Sequence, residues 1–249
     1  MTTAGIVIIG DEILTGKFAE ENAAFLIGEL RALGVELRRI TVIPDVIDDI
    51  AATVSDFAAR FDHVFTSGGV GPTHDDLTMA GIAQGFGTRV VREPVLEERV
   101  RAYWGAKLSA PNLRLADVPE GAELVYGKDQ VWPVVAYRNV YILPGVPTLF
   151  RRKFVDIRDR FRVAPMTVAR VYLDAEEGSI AADLDIIVAA FAAVRIGSYP
   201  RFSEHDFKVL ITLEAHSAID VASALAMMIE RFGARVVRHE PPTLVAGRP

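Results

Sequence analysis

Ile6 to Ile9 form an unbroken apolar run ending at Gly10, the pattern of a strand buried on both faces of a sheet. Leu26, Leu30 and Leu33 then recur at helical spacing, and Gly34 supplies a stop signal. Val35 to Ile43 returns to a strand pattern and closes on Pro44 and Asp45. Val46 to Arg60 predicts a helix, and Val64-Phe65 a short strand entering Ser67-Gly68-Gly69. Such alternation predicts right-handed βαβ crossovers, hence an α/β domain whose sheet is covered on both faces. Ligands of these sheets sit at the carboxyl ends of the strands. Three exits therefore become candidates: Gly10-Asp11-Glu12, Pro44-Asp45 and the segment from Gly68 to Asp76.

From Leu124 to Leu143 the pattern becomes strand-like, with Val131 to Tyr137 and Val140 to Leu143 forming a hairpin around Arg138-Asn139 that leads into Pro144-Gly145-Val146-Pro147. A basic helix follows, carrying Arg151, Arg152, Lys153, Arg158, Arg160 and Arg162; the interleaved Asp156 and Asp159 mark it as a solvated face. Ala164-Pro165 is the expected boundary, dividing the chain into domains 1–165 and 166–249. Beyond it the predicted order is strand (Val168 to Leu173), helix (Ser179 to Ala192), strand (Val194 to Ser198), strand (Phe207 to Leu213), helix (Ala218 to Arg231), strand (Arg235 to Val237). That βαββαβ order describes a small split α+β domain, with the tail from Pro241 expected to be loose.

Composition removes several classes. The chain has 249 residues and no cysteine, so disulfides, thiolate zinc sites and cysteine nucleophiles are out. The longest apolar run, Ile186 to Val194, is nine residues, too short to span a membrane. Asp11 and Glu12 interrupt the first apolar stretch, so neither a signal peptide nor a membrane partner is expected, and the protein is read as cytoplasmic. The net charge of −6 disfavours nucleic acid as a partner. Residues 166–249 hold 8 Lys/Arg against 11 Asp/Glu and no Gly-x-x-Gly, which opposes an RNA-clamping module.

The informative segment is Thr66-Ser67-Gly68-Gly69-Val70-Gly71-Pro72-Thr73-His74-Asp75-Asp76-Leu77-Thr78. Its glycines permit positive φ and close backbone approach, so their amides can cradle a phosphate ahead of a helix N-terminus. Asp75 and Asp76 would repel that phosphate unless a divalent cation lies between; hard oxygen donors favour Mg²⁺ or Mn²⁺, with K⁺ as a further candidate. The alternative is that either aspartate caps the following helix. His74 is read as a solvated loop residue. No Gly-Lys-Ser/Thr closes the loop, and no dinucleotide fingerprint is present. Asp11 and Glu12 have turn formation as their alternative, Asp45 the capping of the helix near Val46, and Pro144 to Pro147 a simple helix start.

Three segments, Gly10-Asp11-Glu12-Ile13-Leu14-Thr15-Gly16, Ser67 to Thr78 and Leu143-Pro144-Gly145-Val146-Pro147, together resemble the molybdopterin-binding domain family over residues 4–150. Its members include molybdenum cofactor biosynthesis proteins and CinA. The stretch Asn112 to Arg152, Val134 to Pro147 above all, and Gly197-Ser198-Tyr199-Pro200 are similar to the N-terminal molybdopterin-binding-like region of FAD synthase.

The resemblance implies a three-layer αβα fold with a mostly parallel sheet, binding molybdopterin or a nucleotide, and a dimer or trimer of the chain. Adenylyl-transferring members use two aspartates, matched here by Asp76 and Asp45. CinA-like and FAD-synthase-like members associate the same site with metal-dependent hydrolysis of a dinucleotide pyrophosphate. Leu149-Phe150 stand where Glu-Met is usual, and Glu21 where Asp is usual. The sequence ends at Pro249 without the deamidase or reductase-like partner domain, so FAD synthesis by this chain alone is not expected.

The first functional expectation is a hydrolase cleaving the pyrophosphate of FAD, ADP-ribose or a related dinucleotide. Gly68, Gly69 and Gly71 would hold a phosphate, Asp76 with Asp75 and Asp45 the metal, and Thr73 and Thr78 would add hydroxyl contacts. Gly10, Asp11, Glu12, Ser67, Pro72, Pro144, Gly145 and Pro147 would complete the pocket. The second is a non-catalytic pterin- or nucleotide-binding module, or an adenylyl transferase of cofactor biosynthesis.

Overall fold

The computed structural model describes residues 2–128, 132–201 and 206–245. The chain forms two compact units, Met1–Val163 and Ala164–Pro249. In the first, β1 (Thr3–Ile9), the short α1 (Asp11–Leu14), α2 (Asn22–Ala32), β2 (Glu36–Ile43), α3 (Ile47–Arg60), β3 (His63–Ser67) and α4 (Thr78–Gly85) follow in order. Next come β4 (Val90–Arg92), α5 (Pro94–Trp104), β5 (Asp117–Pro119), β6 (Glu123–Val125), β7 (Val134–Tyr137), β8 (Val140–Leu143) and α6 (Pro147–Ile157).

The main sheet has the order β2-β1-β3-β8-β7-β6. Its β2, β1, β3 and β8 run parallel, β7 pairs antiparallel to β8, and β6 pairs antiparallel to β7 at the edge. The mostly parallel α/β architecture expected from the alternation is present. The side-chain period of two explains the layering. Ala4, Ile6 and Ile8 of β1 pack with Leu26 and Leu30 of α2 and Phe150 and Phe154 of α6. Val7 and Ile9 point to the other side, against Ile50, Val54 and Phe57 of α3, Ile82 of α4 and Leu96 of α5. Each such fully buried side chain contributes about 1.5–3 kcal/mol, and the sheet is the shared wall of two apolar layers.

The hairpin forms at Arg138-Asn139 as expected, with Arg138 at φ 53° and the Asn139 amide donating to the Ala58 and Phe61 carbonyls. Its first strand begins at Val134; Val131, where the sequence pattern began it, lies outside the described residues. The segment between α4 and β6, which carries no clear periodicity, holds α5 and the small β4–β5 ladder.

The second unit contains β9 (Thr167–Leu173), α7 (Glu177–Ala190), β10 (Arg195–Pro200), β11 (Val209–Ala215), α8 (Ala218–Phe232) and β12 (Val236–Leu244). Its antiparallel sheet has the order β10-β11-β9-β12, the split arrangement that the βαββαβ order implies. One expectation is corrected: the chain from Pro241 to Leu244 is not loose. Thr243 and Leu244 pair with Val168 and Thr167, and a register shift between Glu240 and Thr243 absorbs the Pro241-Pro242 pair, which lacks N–H groups for the ladder. Among the described residues no helix is long and apolar enough to cross a membrane.

Candidate functional site

The parallel strands end on one side of the main sheet, and the turns leaving them enclose a cavity of about 940 Å³. Of the residues predicted from sequence, Glu12, Ser67, Gly68, Gly69, Gly71, Asp76, Pro144, Gly145 and Pro147 line it. Gly10, Asp11, Asp45, Pro72, Thr73, Asp75 and Thr78 do not line it; they stand behind or beside that lining.

The glycine loop is held in its shape by its own atoms. Gly68 and Gly69 have φ of 106° and 63°, and a Cβ at Gly68 would meet the Ile9 carbonyl oxygen at 2.0 Å. Only glycine satisfies both constraints. Asp76 accepts from the Gly71 N–H through Oδ1 and, through Oδ2, from the Thr73 N–H at 2.8 Å and the Thr73 hydroxyl. Three of the roughly four acceptor positions of its carboxylate are thus occupied within the loop. Thr78 is buried, and its hydroxyl donates to the Gly68 carbonyl at 2.8 Å. The hydroxyls expected to meet a ligand therefore brace the loop instead.

The same bonds narrow the anion cradle. Gly68 N–H donates to Leu143 and Gly71 N–H to Asp76, so two of the three glycine amides expected to face a phosphate are engaged. Within residues 68–71, the N–H groups of Gly69 and Val70 have no protein acceptor among the described residues.

Asp45 stands behind Gly69, its Oδ1 3.4 Å from where a Gly69 Cβ would be, and its Oδ2 accepts from the Asp11 N–H at 2.9 Å. Burial pushes the Asp45 carboxyl above its ordinary range. The Asp11 hydrogen bond opposes that rise, and the negative charges of Glu12, Asp11 and Asp75 add to it. The three strand exits are thus brought together as one acidic group. Among the described residues no three His, Asp or Glu side chains form a ready-made metal cage. Mg²⁺ is usually held by one or two carboxylates, with waters and substrate phosphates completing the octahedron. An all-carboxylate set next to two unpaired amides fits that chemistry.

Asn22 and Lys153 are among the lining residues that sequence reasoning missed. Asn22 is 4% exposed and ties Ser67 to the Gly145 carbonyl through its amide nitrogen. Lys153 belongs to the helix read as a solvated basic face, yet its ammonium lines the cavity and donates to the Trp132 and Pro133 carbonyls at 3.2 and 2.8 Å. Burial lowers its pKa to about 8, although Asp156 acts to raise it. Arg151 is paired with Glu21 as on a solvated face, whereas Arg158, just past α6, reaches the buried Glu29. The helical period of α6 places Lys153 beside Phe150 and Phe154, and that spacing is the signal by which it could have been found.

Residues 5–161 match the family model described as a probable molybdopterin binding domain. The chain belongs to that family. Residues 165–241 match a second model, the middle domain of FAD synthase. This molybdopterin-binding family member is 31% identical over 266 residues to a probable FAD synthase of Caenorhabditis elegans; the match covers 96% of the chain and 51% of that relative. It is 40% identical over 154 residues to a CinA-like protein of Anaeromyxobacter sp. (strain K), covering 59% of the chain and 38% of the relative. Among solved structures, CinA of Thermoplasma acidophilum superposes with a TM-score of 0.59 at 27% identity, covering 65% of this chain and all of that one. The chain spans about half the length of the FAD synthase relative, 51%.

Proposed function

We propose that the cavity binds a dinucleotide and hydrolyses its pyrophosphate, with FAD and ADP-ribose as the substrate class. The observation that carries this reading is the juxtaposition of two unpaired loop amides, Gly69 and Val70, with the acidic group around Asp45 at the edge of a cavity of about 940 Å³. Both features are expected of a site that handles phosphates with a cation. The FAD synthase and CinA-like relatives support a nucleotide-related role.

In this reading Gly69 and Val70 donate to one phosphate, and the Asp76 brace keeps those amides aimed at it. One or two carboxylates of this acidic group, Asp45 with Glu12 or Asp75, would hold Mg²⁺ or Mn²⁺ together with the substrate phosphates, and the ion would neutralise phosphate charge and lower the pKa of a water molecule. Lys153 adds positive charge from the facing helix. One water is added across the P–O–P bond, the bridging oxygen leaves with one phosphate, and two monophosphates result.

Incubating the protein with FAD or ADP-ribose and each metal, and measuring AMP release, tests the proposal. Metal-dependent AMP release that is lost in Asp45→Asn supports it; no release, or unchanged release in that variant, overturns it. One observation favours a second reading, binding without turnover: Leu149, standing where the family usually has Glu, lines the cavity with an apolar side chain. Nucleotide or molybdopterin binding with no product under any metal would establish that reading.

A further inference from the structure

Asn22 opens α2 and lines the cavity, buried to 4% exposure. Its Nδ2 donates twice, to Ser67 Oγ at 2.9 Å and to the Gly145 carbonyl at 2.7 Å. A carbonyl only accepts, so the second bond fixes which end of the amide is nitrogen; the reverse orientation would set two oxygens 2.7 Å apart. Oδ1 is the atom left over. Among the described residues, it is the buried side-chain atom without a hydrogen-bond partner that belongs to the cavity lining. Buried acceptors in folded proteins are nearly always paired, because leaving one unpaired costs free energy that a donor would relieve.

The neighbours of Asn22 narrow the donor. Ser67 and Gly145 both border the glycine loop, and Gly145 approaches so closely that a Cβ there would meet Gly68 Cα at 3.3 Å. The unpaired oxygen therefore belongs to the phosphate-handling part of the cavity. In a nucleotide the donors closest to the phosphate are sugar hydroxyls, whereas the N–H groups of the base lie further along the molecule. FAD and ADP-ribose share one sugar phosphate, the adenylate ribose.

Resting on the nucleotide reading above, we propose that Asn22 is a specificity-determining residue: its Oδ1 accepts a hydrogen bond from a ribose hydroxyl of the adenylate, so that the cavity selects ribonucleotides over their deoxy forms. Oδ1 is closed to water in the free cavity. The segment 15–21 brings Phe18, Ala19 and Glu20 into the same lining, so that segment must shift for a hydroxyl to reach Oδ1. A donor arriving at a dry acceptor displaces no water from it, so the new bond is offset only by the one the ribose hydroxyl gives up to solvent.

Calorimetric titration of the full chain with AMP, 2′-deoxy-AMP and 3′-deoxy-AMP, with Mg²⁺ present, tests the assignment. One deoxy form is expected to bind wild type about tenfold more weakly than AMP, the size of a hydrogen bond made or missed. In Asn22→Leu the AMP affinity falls and the differences among the three ligands vanish. Equal binding of all three to wild type overturns the role of Asn22 and leaves the nucleotide reading standing; no binding of any of them overturns both. Discrimination that survives in a folded Asn22→Leu variant also overturns it. Since that variant loses the bonds to Ser67 and Gly145, Asn22→Ser is titrated in parallel with circular dichroism as a folding check, and the wild-type series needs no variant.

Discussion

Along the glycine-loop side of the cavity, polar groups are tied to partners close in sequence: Asp76 to residues three and five positions away, Thr78 to one ten away. Elsewhere in the lining the ties are long: Lys153 reaches back 20 and 21 positions to Pro133 and Trp132, and Asn22 spans 45 to Ser67 and 123 to Gly145. The first kind of structure is dictated by a contiguous string of residues. The second exists only once the sheet has brought its strand exits together. A local wall carries its own conformation, and a composite wall borrows it from the fold.

The sharpest test of the local wall is Gly68→Ala. The added methyl would stand 2.0 Å from a backbone oxygen at a φ of 106°, with no flexible side chain to yield. We expect a loss of about 3 kcal/mol or more in urea unfolding, in the range of severe backbone and overpacking substitutions. Gly87→Ala is the control: its φ is 65° but nothing lies within 4 Å, so only the conformational cost remains, about 1 kcal/mol. Equal losses at the two positions would mean that the close approach to Ile9 contributes nothing.

Lys153 tests the composite wall through pH. Its folded pKa of about 8 lies below the ordinary 10.5, so the folded state releases this proton before the unfolded state does. Between those two values the unfolded chain binds more protons, and stability rises with pH. Wild type should gain up to about 3 kcal/mol relative to Lys153→Met between pH 8 and 10.5. Parallel stability curves for the two proteins across that range would show that Lys153 is solvated.

Asp76→Ala removes three hydrogen bonds from a partly exposed loop. The expected cost is about 1–2 kcal/mol, because water can replace some of what is lost. Ligand affinity should fall by more than stability does, since the Gly69 and Val70 amides lose their brace. Comparing thermal unfolding with AMP titration separates the two.

This contrast also explains how much was legible beforehand. The apolar run at Ile6–Ile9, the Leu26-Leu30-Leu33 stripe and the Arg138-Asn139 turn each announce an element through local rules, and those elements are present. The glycine loop was legible for the same reason. What its sequence could not show was how many of its donors would be used: the Gly71 amide and the Thr73 and Thr78 hydroxyls have acceptors within the loop, and the Gly68 amide is taken by Leu143 at the end of β8. Asn22 was illegible as a lining residue because its partners are brought in by long-range packing, and Lys153 was signalled only by its helical spacing from Phe150 and Phe154, its carbonyl partners being set by the fold. The continuation of β12 past Pro241-Pro242 was hidden by two residues that normally end a strand, which the structure accommodates at a register shift.

The smallest effect on stability is expected at Asp45, where the two walls' logics meet: a loop residue whose charge matters because the fold sets Glu12, Asp11 and Asp75 beside it. Its carboxyl is raised by burial and by those charges, so the folded state binds this proton more tightly than the unfolded state does. Above the folded pKa the ionised group costs stability, and that cost is relieved as pH falls through it. Asp45→Asn removes the charge while its side-chain oxygen can still accept from the Asp11 N–H, so the metal-free protein should gain at most about 1 kcal/mol near neutral pH, a half-exposed group being partly screened. The same substitution should abolish the stabilisation that added Mg²⁺ or Mn²⁺ gives the wild type through binding to the native state. A variant that is destabilised, or that still gains stability from the metal, would remove Asp45 from the acidic group that makes this wall fit a cation.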